Sequence, residues 1–224
     1  MSRWGSVTWG AVLGMALWSS CSCEHDLITE TAASLKVGNV VCADGAVLSY
    51  EQFQKTNKEA VGVVYEVEAK QKDAVIGYAV YIHELDPVAF ADSLGVDQNT
   101  SASVEEKDGN VNTYALFHTE EVYSPLAQKS FDLWHYGQST YVPSVKQLAQ
   151  LYRVRHFVNQ RIAEVGGTPL SLEPGACWLW SSTEVKGQKE DKAWLFSMYA
   201  CSILETPKNQ AHRFRPVISI YDVK

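Results

Sequence analysis

The sequence is short of several things, and each shortage narrows what the protein can be. Positive charge is scarce. With 19 Lys and Arg against 26 Asp and Glu, the 224-residue chain carries a formal net charge of -7, and no basic stripe is available to neutralise a phosphate backbone, so nucleic acid is excluded as a partner. Cysteine is sparse, five in all, and no two have the spacing of a zinc finger. No apolar run is long enough for a comfortable membrane span. Catalytic signatures are missing as well. His83-Glu84 lacks the second histidine of a zinc protease helix, and there is neither a Gly-x-Ser-x-Gly elbow nor a phosphate-binding loop. His118, His135, His156 and His212 are scattered, and the adjacent carboxylates Glu105-Glu106 and Glu190-Asp191 fall in polar stretches that read as solvated loops. The chain reads as non-catalytic, with no cofactor and no metal. The loop 98–112 is rich in oxygen ligands, but its spacing fits no calcium loop.

What is present begins with 46% hydrophobic residues, enough for a packed core. Residues 1–20 run from Arg3 through an apolar stretch to Ser19-Ser20, the order of an export signal. Cys21 after those small residues resembles the lipidation box of bacterial lipoproteins, with Trp18 where leucine is usual, and Cys23 is a second choice. The acids Glu24 and Asp26 resemble the surface-export signal of Bacteroides-like lipoproteins. The expectation is a signal peptide over 1–20, a tether over 21–35 anchored through Cys21 to the outer membrane or cell surface, and one domain over 36–224.

Along that domain, Asp44-Gly45 between apolar runs predicts a hairpin. Alternation predicts strands over 60–69 and 74–85. Ser124-Pro125 opens a helix expected to reach Trp134, with Leu126, Leu133 and Trp134 inward and Gly137 as the stop. Pro143-Ser144 opens a second helical stretch, ending at Gly166-Gly167, that is expected to break near Arg155-His156. Strands return over 177–182, 193–200 and 212–221. Strands, then helices, then strands predict an α+β fold of antiparallel strands with two or three helices packed on them.

The stretch CWLWSSTEV raises the sharpest question. Alternation puts Trp178 and Trp180 on one face of a strand, and Trp194 and Phe196 repeat the spacing on the next. All three tryptophans read as core, with a sugar-stacking platform as the alternative. In HRFRPVISIY, alternation turns Arg213 and Arg215 outward while Phe214 points in, and all three are counted with the tryptophans as structural residues and not as ligand contacts. Cys177 and Cys201, on segments read as neighbouring strands, are either bridged or buried free thiols.

Five segments in order, YVPSVKQLAQLY, FVNQRIAEVGG, WLWSSTE, KAWLF and KNQAHRFRPV, resemble the bacterial Lcl C-terminal-like domain, a C-type-lectin-like scaffold. Val142-Pro143-Ser144 stands where the family has a Leu-Pro-Ser turn. Trp180 to Thr183, Ala193-Trp194 and Arg213 to Val217 fill its later motifs. The resemblance covers about residues 37 to 221. It implies a scaffold that binds through loops, here 98–112, 184–192 and 198–212, and it implies that Ser181-Ser182-Thr183 marks where the chain leaves the core sheet. Lys186, Lys189, Glu190, Tyr199 and His212 are the contact residues chosen on these loops. Two functional readings stay open. One is a surface module that binds a glycan or protein ligand. The other is a structural or assembly component such as a pilus-tip or envelope subunit. Exposed aromatics in the loops favour the first, and an uncovered strand edge or apolar patch the second.

Overall fold

The computed structural model describes residues 35–69, 75–135 and 138–222, all within one compact unit of the chain, Ala32–Lys224. The signal, the tether and Cys21 lie outside the described residues. No helix among the described residues is long and apolar enough to cross a membrane.

The fold is α+β, built on antiparallel sheets. The hairpin at Asp44-Gly45 pairs β1 (Val40–Cys42) with β2 (Val47–Leu48). Gly45 has φ +88°, a value that costs a side chain but not glycine. Ser49 then caps a short helix α1 (Tyr50–Phe53), so Tyr50 leaves the hairpin in a helix and not in a strand. The next two strands are β3 (Ala60–Ala69) and β4 (Val75–Tyr81). With the closing strand β12 (Val217–Asp222) they complete a five-stranded sheet in the order β12-β4-β3-β1-β2.

Between β4 and the long helix the chain forms β5 (Val88–Ala89), α2 (Gly109–His118), α3 (Pro125–Phe131) and the pair β6 (Trp134–His135) and β7 (Gln138–Ser139). α2 replaces loop expected from the sequence. Asp108-Gly109 is a helix start, and a Cβ on Gly109 would lie 2.6 Å from the Val142 carbonyl and 2.4 Å from Gln147 Oε1. Glycine is what lets α2 begin against the turn that opens the next helix. Ser124 caps α3 and Pro125 occupies its first turn, but the helix ends at Phe131. Trp134 therefore belongs to a strand, and Leu133 sits half-buried between the two elements.

The long helix α4 (Val145–Glu164) starts with a reciprocal capping box, Ser144 with Gln147. It runs unbroken through Arg155-His156. Val145, Leu148, Leu151, Val158 and Ile162 form a continuous buried stripe, while His156 is exposed and the Arg155 guanidinium lies 3.7 Å from the Tyr152 ring centroid. Nothing in that geometry interrupts the backbone ladder.

The last part of the chain forms β8 (Trp178–Glu184), β9 (Lys192–Ser197), β10 (Ile203–Pro207) and β11 (Ala211–His212). β10-β9-β8 make a three-stranded sheet, and β11 pairs with β5. β10 lies inside 198–212, which the sequence suggested was loop. One apolar cluster fills the space between α4, the inner face of the five-stranded sheet and the Leu179–Phe196 face of the small sheet. A second joins the other face, Trp180 and Leu195, to Leu116 of α2, Leu126 of α3, Phe90 and Phe214. The small sheet is thus a middle layer with helices on both sides.

Candidate functional site

The Ser-Ser-Thr run does not end its strand. Trp180 pairs with Leu195, and the next paired residue on β8 is Glu184, opposite Ala193. Residues 181–183 therefore form a bulge, and all three are fully buried. A bulge leaves backbone groups without ladder partners, and the short hydroxyls meet part of that need. Ser181 Oγ donates to the Trp194 carbonyl at 2.8 Å, and Thr183 Oγ1 accepts from the Val145 N–H at 3.3 Å. The Ser182 N–H reaches the Pro143 carbonyl at 2.9 Å. The bulge fastens β8 to the start of α4 and aims Glu184 sideways into the protein.

Glu184 and Lys208 form an ion pair at 2.9 Å, with both side chains fully buried. Every proton of the Lys208 ammonium has an acceptor, the Val96 carbonyl at 2.7 Å and Gln98 Oε1 at 3.2 Å being the other two. The Glu184 carboxylate also accepts from the Gln98 N–H (3.0 Å), the Thr100 N–H (3.2 Å) and Thr100 Oγ1 (2.9 Å). The pair is saturated with partners, as a buried charge must be. It clamps residues 96–100 onto the end of β8. Next to that clamp Asn99 and Ala102 hold φ of 61° and 54°, left-handed values that are uncommon for residues other than glycine.

Beside the clamp lies an open groove of about 630 Å³. Ser101, Ala102, Ser103 and Val104 form one wall, Lys186 and Lys189 of the β8–β9 hairpin loop the other, and Trp194 and Glu205 the floor. Trp194 is half-buried and lies on the face of β9 opposite to Leu195 and Trp180. The groove borders the apolar cluster under α4, against which Trp194 and Val104 pack. Its charges are unequal in availability. Lys189 is tied to Asp97 at 2.7 Å and lies 3.9 Å from Glu184. Glu205 is paired with Lys192 at 3.1 Å. Lys186 is exposed and takes part in none of the ion pairs found among the described residues. Burial pushes the Asp97 carboxyl up, but the Lys189 ammonium and the Asn99 N–H bring it, on balance, below the usual range.

The three loop regions chosen from the sequence meet here only in part. Lys186 and Lys189 line the groove. Glu190 is exposed outside it, and its carbonyl accepts from the Gly95 N–H at 2.9 Å. Tyr199 stands 55% exposed in the β9–β10 turn, beyond the groove. His212 lines a separate, shallower depression of about 320 Å³ with Trp178, Pro87 and Arg213. Its ring meets Trp180 edge-on at 5.2 Å, and burial lowers its pKa. Trp178 is half-buried at that second depression, and Trp180 is fully buried, its indole N–H donating to the Val88 carbonyl at 3.1 Å. The three tryptophans thus divide into one wholly inside the core and two at its margins.

The arginines depart from the alternation expected of them. Residues 213–216 lie between β11 and β12 and form no strand, so Phe214 and Arg215 are both buried. Arg213 is 39% exposed and pairs with Glu84 at 2.8 Å. Arg215 donates to the Thr168 carbonyl at 2.9 Å and the Tyr81 carbonyl at 3.3 Å, and burial pushes its pKa down to about 10. Cys177 and Cys201 are free thiols, the first buried with Sγ 3.3 Å from Ser197 Oγ, the second exposed in the turn at φ 53°. His118 stacks on Tyr114 of its own helix, and His83 meets Tyr81 edge-on. Among the described residues no three His, Cys, Asp or Glu side chains gather where they could hold a metal ion.

Glu184, Lys208 and Thr100 were not legible as a unit. Glu184 closes an apolar strand pattern, which is a signal of a kind, but its partners lie 24 and 84 positions away. The chain matches no protein-family model and no curated protein.

Proposed function

We propose that this protein is a surface-displayed, non-catalytic binding module of the Lcl C-terminal-like, C-type-lectin-like kind, that it takes its ligand in the groove at Trp194, and that Cys21 anchors it to the outer membrane or cell surface. One observation carries the reading. Two segments some 85 residues apart in sequence, 101–104 and 185–189, converge over a half-buried tryptophan and border about 630 Å³, a volume within the range of small-ligand sites. Backbone strain beside the groove supports it, because the left-handed conformation at Ala102 is costly for a residue with a Cβ, and such conformations cluster where ligands bind. The unpaired Lys186 gives the groove a positive element within an acidic chain, which favours a ligand carrying negative charge. The ligand is a glycan or a protein group small enough to enter.

The assembly reading has two observations in its favour, the exposed Val111, Tyr114 and Phe117 of α2 (69%, 59% and 41%) and a strand edge. β10 is the edge of its sheet, and Ile203 and Leu204 are 38% and 50% exposed on it. Pro207, which has no N–H to offer, and Glu205 blunt that edge, so the groove is the better candidate. Glycan and protein binding arrays probed with the full-length protein and with Lys186→Glu test the choice. Binding that the substitution weakens supports the groove, and binding indifferent to it but lost on Leu204→Asp supports assembly through the edge. Palmitate labelling abolished by Cys21→Ala tests the anchor, and unchanged labelling moves it to Cys23.

A further inference from the structure

Resting on the groove reading, we infer that Glu184 is the positioning residue of this site, and that Lys189 is a strut of the same device and not a ligand contact. The buried Glu184 carboxylate accepts from two backbone amides of the segment that leads into the 101–104 wall, Gln98 and Thr100, and from the Thr100 hydroxyl. The Thr100 hydroxyl in turn accepts from the Glu184 N–H at 3.2 Å, so the contact is reciprocal. Lys208 neutralises the carboxylate from behind and holds the Val96 carbonyl at 2.7 Å. Lys189 reaches from the hairpin loop to Asp97 at 2.7 Å. Glu184 therefore ties the segment leading into one wall to the strand leading into the other, and the Lys189–Asp97 pair adds a second tie between them. Well-packed apolar residues would serve stability as well as a buried pair does, and what charged, directional bonds add is a unique geometry. Here that geometry is the path of residues 96–104, with its two left-handed residues. A rim ordered before the ligand arrives spares binding the entropy of ordering it. The same pairings leave Lys186 as the cation of the groove that is free to meet a ligand, which makes it the specificity-determining charge.

The test needs no ligand. In the full-length protein, Glu184→Gln keeps the shape of the side chain and removes the charge. Amide hydrogen exchange of Gln98 and Thr100 is expected to rise by about tenfold or more, while amides of β3 and β4 keep their rates. Thr100→Val, which removes one hydroxyl, is expected to move the same two amides by roughly threefold, and it carries the comparison should Glu184→Gln not fold. With 5-fluorotryptophan incorporated, the Trp194 resonance is expected to broaden in both variants. Lys186→Gln is expected to leave the exchange rates as they are. Exchange that rises equally in the large sheet, or that does not rise at Gln98 and Thr100, overturns the inference, because Glu184 would then hold the whole fold or nothing in particular. Either failure leaves the groove's occupancy to the array experiment, and an array without a groove-dependent ligand leaves the rim's rigidity as measured.

Discussion

Truncating Trp180 to alanine separates the core tryptophan from the two marginal ones. Its side chain is fully enclosed, it meets Phe90 edge-on at 5.5 Å and His212 at 5.2 Å, and its N–H is satisfied by the Val88 carbonyl. The substitution removes the largest fully buried side chain of the second apolar cluster, leaves a cavity between Leu195, Phe90 and Phe214, and takes away the indole donor to the Val88 carbonyl. Comparable truncations cost ~3–5 kcal/mol. For a unit of this size, each kcal/mol lowers the melting temperature by roughly 2–4 °C, so the expected drop is about 6–20 °C. Trp194→Ala, at a half-buried groove position, is expected to cost only ~1–2 kcal/mol, in proportion to the smaller apolar area it takes out of water. Circular dichroism melts of the two variants side by side make the comparison. Equal drops, or a larger one for Trp194, would refute the division of the tryptophans into core and groove.

Lys189→Glu places an anion beside Asp97 and the buried Glu184 and is expected to destabilise by ~1–3 kcal/mol, read by urea denaturation, whereas Lys186→Glu is expected to stay within ~0.5 kcal/mol of wild type. Gly109→Ala drives a Cβ into the Val142 carbonyl and Gln147, and should lower stability by ~1–3 kcal/mol by the same measurement. Alkaline pH should unfold the protein through its tyrosines. Burial raises the pKa of Tyr65 well above 10.0 and that of Tyr78 to about 12. Each therefore stabilises the fold fully below the unfolded value and loses that contribution as pH climbs through the folded one. Arg215 acts oppositely, since its lowered pKa adds stability above about pH 10. The buried tyrosines outnumber it, so the last part of the phenolate absorbance is expected to appear together with loss of structure above pH ~10; tyrosine titration complete at pH 10 with the fold intact would contradict the burial.

The Asp44-Gly45 hairpin and the starts of α3 and α4 were legible because each is set by neighbours in sequence. Asp44-Gly45 demands its turn, and Ser124 and Ser144 offer caps that nothing nearby competes for. What failed were features set from a distance. α2 has no clean apolar stripe. Its residues Val111, Tyr114 and Phe117 are exposed while the polar Asn112 and Thr113 are buried, Thr113 holding the Val142 backbone. Arg215 looked outward because alternation assumes a strand, and residues 213–216 are not in one. At the groove, the sequence pointed to Lys186 and Lys189 as loop charges but could not tell that Asp97 had already engaged one of them. Trp194 read as core since spacing reports which side of a strand a residue takes, not whether a helix reaches far enough to cover it.

The central claim is that a ligand enters the groove between residues 101–104 and 185–189. Fluorine NMR of the 5-fluorotryptophan-labelled protein, its resonances assigned by single Trp→Phe variants and titrated with a ligand found on the arrays, tests it most directly, because three of the seven tryptophans report three places. Trp194 lines the groove, Trp178 the second depression, and Trp180 the core. The account predicts a saturable shift of the Trp194 resonance, with Trp178 and Trp180 unmoved, and loss of that shift in Lys186→Glu. A saturable shift at Trp178 with Trp194 still would move the site to the depression at His212, and binding that moves neither would contradict the groove altogether.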